Sequence, residues 1–224
     1  MTAAPFALSR ARFDAVLVDL DGTMVDTLGD FDAVLNAMLR EMALPAVPRA
    51  FIEHTVGKGS EHLIHSTLAQ VGAPAERFDE AWERYQRIYL AINGEHSRVY
   101  DGVVPGLTRW QAAGFQLACL TNKPGAFATG LLARKGLSGF FTLTVGGDAH
   151  PRKKPDPMPL LKTCEALGVS PARTVMVGDS SNDLQAARAA GCAIVLVPYG
   201  YNHGQPVQAL GADGVVERLD ALGG

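Results

Sequence analysis

Two aspartates separated by one residue, Asp19 and Asp21, directly follow an apolar run near the start of the chain. Residues at i and i+2 of an extended segment lie on the same side of the chain. Two such carboxylates can bind a metal ion, or one can attack a substrate while the other transfers protons. Gly22 allows the backbone to turn closely beside them. On its own, this pattern favours a loop whose aspartates cap the next helix.

A second group of oxygen side chains follows another apolar run, at 174–177. Asp179 comes directly after Gly178, and Asp183 follows about one helical turn later. Mg²⁺ prefers hard oxygen ligands and fills its remaining positions with water and phosphate oxygens. Aspartates after two different apolar runs therefore predict a magnesium site that handles a phosphate.

Groups that could bind phosphoryl oxygens lie between these two aspartate clusters. Thr121 and Asn122 offer a hydroxyl, an amide and backbone donors. Lys153 or Lys154 supplies a cation in a loop before a predicted helix. The formal net charge of the chain is −3, with no long run of either sign, so an anion must be met by local positive charge. The same distribution of charge contains no basic cluster that would bind nucleic acid or an anionic membrane surface.

Four continuous apolar runs predict the strands that position these groups, at 15–18, 115–120, 174–177 and 193–197. Such runs are typical of parallel strands that are covered on both faces. Helical patterns lie between them, at about 105–113, 125–136, 156–167 and 182–190. The alternation predicts an α/β sheet with right-handed crossovers. Ligands bind outside the carboxyl ends of such strands, which is where the polar groups occur.

The stretch from about 28 to 100 breaks this alternation, because it has helix-period apolar positions and no strand signal. Prolines and glycines divide it into roughly four helices. We therefore predict a parallel-sheet core formed by 1–27 and 101–224, and an inserted helical cap formed by 28–100. Between two cap helices, Gly57-Lys58-Gly59 is either a solvated turn or a loop that reaches the site, where Lys58 would meet a substrate carboxylate.

These residues resemble the four motifs of the haloacid dehalogenase superfamily, in order along the chain. The motifs are Asp19-Leu20-Asp21-Gly22-Thr23, Leu120-Thr121-Asn122, Lys154-Pro155, and Gly178-Asp179 followed by Asp183. The resemblance extends over about residues 14–200 and implies a Rossmann-like core with an α-helical cap inserted after the first motif. Four further segments, at 121–124, 146–148, 153–157 and 199–202, resemble the bacterial phosphoglycolate phosphatases.

The resemblance implies a role for each residue of the reaction. Asp19 would attack phosphorus, and Asp21 would protonate the leaving group and then deprotonate water. Thr121 and the backbone around Asn122 would hold phosphoryl oxygens. Gly22 and, from its place in the loop alone, Lys58 complete the predicted substrate-binding residues. Lys154, rather than Lys153, would neutralise Asp19 and the phosphoryl group.

The resemblance also implies a Mg²⁺ site. The ion would be held by the side chains of Asp19 and Asp179 and by the backbone carbonyl of Asp21. Asp183 would act on the ion indirectly, through water.

The implied function is a Mg²⁺-dependent phosphatase that hydrolyses 2-phosphoglycolate through an aspartyl-phosphate. Another small substrate (a sugar phosphate or pyrophosphate) and a mutase like β-phosphoglucomutase remain open. A phospho-aspartate signalling receiver is an alternative of a different class, although a receiver has no helical insertion after its first strand. Asp21 disfavours a haloacid dehalogenase proper and a phosphonatase, because neither needs this carboxylate.

The remaining composition bears on where the protein works. The chain has an odd number of cysteines, and all three have apolar neighbours: Cys119, Cys164 and Cys192. This pattern predicts buried thiols in a reducing compartment. No apolar run approaches the ~20 residues that span a membrane. We expect a cytoplasmic monomer or homodimer that binds a small phosphorylated substrate, and neither nucleic acid nor membrane.

Overall fold

The computed structural model describes residues 6–223. In chain order, the strands are β1 (Ala15–Val18), β2 (Val25–Asp26), β3 (Arg98–Val99), β4 (Gln116–Leu120), β5 (Leu143–Val145), β6 (Thr174–Gly178), β7 (Ala193–Leu196) and β8 (Gly214–Val215). The α-helices are α1 (Leu28–Glu41), α2 (Arg49–Thr55), α3 (Ser60–Gln70), α4 (Phe78–Ile92), α5 (Val103–Ala112), α6 (Gly125–Arg134), α7 (Met158–Leu167) and α8 (Ser181–Ala190).

Six of these strands form one parallel sheet, in the order β5-β4-β1-β6-β7-β8. The central strand β1 pairs with β4 and β6, and Ala15 lies opposite Gln116 on one side and Thr174 on the other. The α/β prediction is confirmed, and each of the four apolar runs forms a strand. The short strands β5 and β8 were not predicted, because neither contains a continuous apolar run of useful length.

Every residue of β1 is buried, because helices cover both faces of the sheet. Val16 and Val18 belong to an apolar cluster shared with α5 and α6, whereas Ala15 and Leu17 belong to one shared with α7 and α8. Successive side chains along the strand point to opposite faces of the sheet, and here both faces are apolar cores rather than one core and one solvent-exposed surface. This three-layer arrangement explains why the strands are apolar at successive positions.

Helices α1 to α4 build a third apolar cluster of their own, which also includes Phe127 of α6 and Tyr201 of a core loop. Tyr85 and Tyr89 are fully buried in it. The chain passes between the sheet and these helices through an antiparallel ribbon in which Val25 pairs with Val99. The expectation of no strand within 28–100 is therefore wrong at Arg98–Val99, which pairs with Val25–Asp26.

Two further findings concern the cysteines and the membrane. Cys119, Cys164 and Cys192 are buried and unpaired, as predicted. Among the described residues, no helix has the length and apolar character to cross a bilayer.

Candidate active site

Asp19 stands at the carboxyl end of β1. Its backbone N–H donates to the carbonyl of Val177 on β6 (2.9 Å), which continues the ladder of the sheet by one residue. Its Oδ1 accepts from the N–H of Leu20 (2.7 Å) and lies 3.0 Å from Nζ of Lys154. Only 9% of the residue is exposed. The carboxylate is thus fixed in one orientation against a buried cation.

Three carboxylates meet at this edge of the sheet. Asp19, Asp179 and Asp183 each offer an oxygen, and the three atoms lie within 4.8 Å of one another. Asp179 Oδ1 accepts from the hydroxyl of Thr23 (2.9 Å). Asp183 Oδ2 accepts from the hydroxyl (2.8 Å) and from the backbone N–H (3.2 Å) of Ser180, and the second bond belongs to the capping box that begins α8. Local helix chemistry therefore places Asp183 beside the two strand-end aspartates.

This cluster holds more negative than positive charge. Lys154 Nζ lies 2.7 Å from Asp183 Oδ1 and donates to the carbonyl of Leu120 (3.0 Å). Burial raises the pKa of Asp19 to about 7, and burial together with Asp183 raises that of Asp179 well above its usual value. Burial alone would lower the pKa of Lys154, but the adjacent carboxylates raise it. Three buried carboxylates around one ammonium fit a divalent cation with hard oxygen ligands, such as Mg²⁺.

Glycines let the backbone pass close to these carboxylates. Gly22 has φ +81°, and a Cβ there would lie 2.3 Å from Asp179 Oδ2. A Cβ at Gly178 would lie 2.3 Å from Asp183 Cγ. Gly22, predicted among the substrate-binding residues, thus lies against the acidic cluster.

Asp21 faces a different lysine, to which the motifs assign no role. Lys123 Nζ donates to both carboxylate oxygens of Asp21, at 2.9 and 3.0 Å. The lysine side chain is 1% exposed and that of Asp21 is 11% exposed. The sequence gives one indication of this role for Lys123, which is its position directly after Asn122. Its partners come from distant parts of the chain.

Thr121 and Asn122 lie beside the acidic cluster, as their place after β4 predicts. Thr121 Oγ1 accepts from the N–H of Lys123 (3.2 Å). The amide of Asn122 donates to the carbonyls of Gly57 (2.9 Å) and Lys154 (2.8 Å). Its side chain therefore joins a cap loop to a core loop, while its backbone borders the strand end.

The two adjacent lysines have different surroundings, and so does Lys58. Lys154 is buried against Asp19, whereas Lys153 forms an exposed ion pair with Glu61 (3.1 Å). Lys58 is exposed, and of its segment only the flanking glycines line the cavity. The structure thus places Lys154 beside Asp19 and does not bring Lys58 to it.

A small cavity separates the strand ends from the cap helices. Its core side presents Asp19, Asp21, Thr121, Asn122, Lys123, Asp179, Ser180 and Tyr201. Its cap side presents Phe31, Val56, Gly57, Gly59, Ser60 and Leu63. The core side is therefore polar and charged and the cap side is mostly apolar, which limits bulk water and strengthens the interactions of the charged groups.

Tyr201 connects the core side of this cavity to the segment through which the chain enters α1. Its backbone N–H donates to Asp179 Oδ2, and its hydroxyl donates to Asp26 Oδ1 (2.6 Å). The same hydroxyl accepts from the N–H groups of Thr27 (2.9 Å) and Leu28 (3.0 Å). One residue thus contacts both an aspartate of the acidic cluster and the start of α1.

Comparison with known proteins gives a consistent picture. A family model described as haloacid dehalogenase-like hydrolase matches residues 13–191. The chain is 43% identical over 208 residues to a phosphoglycolate phosphatase of Thiobacillus denitrificans, with 92% of each chain covered. It is 43% identical over 210 residues to a plasmid-encoded phosphoglycolate phosphatase of Cupriavidus necator, covering 93% of this chain and 90% of the relative. A crystal structure described as a predicted phosphoglycolate phosphatase from Haemophilus somnus has a TM-score of 0.91 at 29% identity, covering 96% and 98%.

Proposed function

The chain belongs to the haloacid dehalogenase-like hydrolases, and we propose that it is a Mg²⁺-dependent phosphatase that converts 2-phosphoglycolate to glycolate and phosphate. The observation that carries the proposal is the pairing of Asp19 with Lys154, 3.0 Å apart, with Asp21 two residues away. The names of the relatives support 2-phosphoglycolate as the substrate. Family membership also argues against a signalling receiver.

The first step forms a bond between an Asp19 oxygen and phosphorus, and it breaks the bond from phosphorus to the ester oxygen. Asp21 gives its proton to that oxygen, so glycolate leaves as an alcohol. Asp21, now a carboxylate, then takes a proton from water as the water oxygen attacks the phosphorus of the aspartyl-phosphate. Phosphate is released and Asp19 is restored.

Electrostatics account for most of the acceleration that this reaction needs. Uncatalysed phosphate-monoester hydrolysis is so slow that enzymes accelerate it by up to ~10²¹-fold. Charge in the phosphoryl transition state is spread over its oxygens, so positioning and preorganised positive charge matter most. Lys154 supplies such charge at Asp19, and Thr121 borders the same cavity.

The side chains of Asp19 and Asp179 and the backbone carbonyl of Asp21 would hold the ion, and Asp183 would act on it through water. A bound Mg²⁺ supplies positive charge that offsets the repulsion between the Asp19 carboxylate and a phosphate dianion. The excess of buried carboxylates over cations supports this assignment.

We expect the protein to act in the cytoplasm, as a monomer or homodimer. The three buried, unpaired thiols support a reducing compartment.

A substrate panel tests the proposal. Phosphate release with Mg²⁺ is measured for 2-phosphoglycolate, pyrophosphate and several sugar phosphates, and kcat/KM is compared. We expect 2-phosphoglycolate to exceed each of the others by about 10-fold or more, which corresponds to about 1.4 kcal/mol in the transition state. A higher value for a sugar phosphate, or return of the phosphate to the sugar instead of its release, would contradict the proposal.

A further inference from the structure

Lys123 is a buried cation whose charge the reaction described above does not use. Its ammonium bonds only to Asp21 among the described residues, through contacts of 2.9 and 3.0 Å. A lysine ammonium carries three donors, and here both bonds go to one carboxylate. The third N–H finds no acceptor within 6–223. Lys123 therefore keeps donor capacity for a ligand that enters the cavity.

The cap encloses this ammonium with aromatic rings. Nζ lies 4.5 Å from the ring centre of Phe31 on α1 and 4.8 Å from that of Tyr89 on α4. Ring faces at such distances stabilise a cation while they exclude water. An ammonium held this way has lost most of its hydration, so it gains more from an anionic partner than an exposed lysine does.

The geometry of the leaving group indicates where a second cation is needed. In 2-phosphoglycolate the carboxylate carbon is two bonds from the ester oxygen, a distance of roughly 2.5 Å. Asp21 must lie within hydrogen-bond reach of that oxygen to protonate it. A cation that contacts Asp21 is therefore close enough to bind that carboxylate as well. Lys123, at 2.9 Å from Asp21 Oδ1, meets this condition.

The other lysines near the site are not available for this role. Lys154 contacts Asp19, Asp183 and a backbone carbonyl, so its donors are used. Lys58 is exposed and does not line the cavity. Among the described residues that line this cavity, Lys123 is the one with a positive charge.

We propose that Lys123 binds the substrate carboxylate and so selects small phosphomonoesters that carry a carboxylate on the ester carbon. This inference rests on the proposed phosphatase function. Because Phe31 and Tyr89 belong to the cap, the carboxylate is recognised in a dry site only when these helices lie over the strand ends. Recognition and water exclusion thus depend on the same contact.

The test compares 2-phosphoglycolate with ethyl phosphate, which has the same ester carbon but no carboxylate. Lys123→Met removes the charge and keeps the length of the side chain. We expect it to lower the ratio of the two kcat/KM values by about 30-fold or more, equivalent to about 2 kcal/mol. Lys162→Met is the matched control, because Lys162 forms an exposed ion pair with Glu165 on α7, and it should leave the ratio unchanged.

Several outcomes would overturn the inference. An equal loss on both substrates would mean that Lys123 only holds Asp21 in place. Collapse of the ratio in Lys58→Met, with Lys123→Met unaffected, would transfer the role to Lys58. If Lys123→Met does not fold, as judged by its thermal unfolding, Lys123→Gln provides the same comparison with a polar end. A wild-type protein that does not prefer 2-phosphoglycolate over ethyl phosphate would instead contradict the proposed function.

Discussion

Replacing Lys154 by methionine should destabilise the fold because it leaves buried carboxylates without a counter-charge. The ammonium lies 3.0 Å from Asp19 and 2.7 Å from Asp183, and the side chains of Lys154 and Asp183 are 2% and 0% exposed. Methionine keeps the apolar stem, so little packing is lost. Removal of one partner from a buried ion pair typically costs 3–5 kcal/mol, and we expect a loss of ~4 kcal/mol in the free energy of unfolding at pH 7.

The loss should shrink at lower pH. Burial already gives Asp19 a raised pKa of about 7, and Lys154 counteracts that rise. Without the lysine this pKa moves higher still, so the folded variant takes up a proton where the unfolded chain does not. A carboxyl with a raised folded-state pKa contributes stability at low pH that is lost as the pH rises through that value. The difference between wild type and Lys154→Met should therefore be smaller at pH 5 than at pH 7.

Urea unfolding in EDTA measures both effects, with far-UV circular dichroism and fluorescence of the buried Trp110 as probes. Lys153→Met is the control, because its exposed pair with Glu61 should contribute less than about 1 kcal/mol. A loss below about 1 kcal/mol in Lys154→Met, or an equal loss in Lys153→Met, would refute the assignment of the buried charge cluster.

Three further outcomes are expected. Asp19→Asn should keep the fold and retain less than about 1% of kcat, because an amide cannot act as a carboxylate nucleophile; a higher residual rate in a phosphate-release assay would argue against covalent catalysis. EDTA should abolish turnover and Mg²⁺ should restore it, whereas Ca²⁺ should inhibit because it prefers more ligands and draws in both oxygens of the nucleophile; full activity in EDTA would contradict the metal requirement. Tyr201→Phe should lower the free energy of unfolding by about 1–3 kcal/mol, since the N–H groups of Thr27 and Leu28 and the carboxylate of Asp26 lose their hydroxyl partner; an unchanged thermal midpoint would show that water replaces it.

The sheet was predictable where its strands are buried on both faces. The runs at 15–18, 115–120, 174–177 and 193–197 are apolar at nearly every position, and each forms a strand of the core. The edge strands β5 and β8 and the ribbon β2–β3 have two or three residues each and carry no such signal. Their pairing is decided by neighbours that are distant in sequence, which a local pattern does not contain.

The acidic cluster was also predictable, because the topology brings its parts together. Parallel strands end at one edge, so aspartates that follow β1 and β6 must lie near each other. Asp183 joins them through the first turn of α8, where its side chain accepts from the N-cap backbone in a capping box. The choice between Lys153 and Lys154 came from the resemblance alone, since adjacent residues in a loop share the same local pattern.

The role of a lysine near a site depends on which groups compensate the loss of its hydration. A local sequence pattern does not contain those groups, which explains why the sequence indicated Lys58 and not Lys123. A charge enters a cavity only when paired groups offset the cost of leaving water. Lys58, between two glycines, is exposed and has no such partner among the cavity residues within 6–223. Lys123 has Asp21 beneath it and the rings of Phe31 and Tyr89 around it. On this reasoning the cap contributes aromatic surface rather than charge. It determines the substrate because it excludes water from Lys123, a lysine of the core.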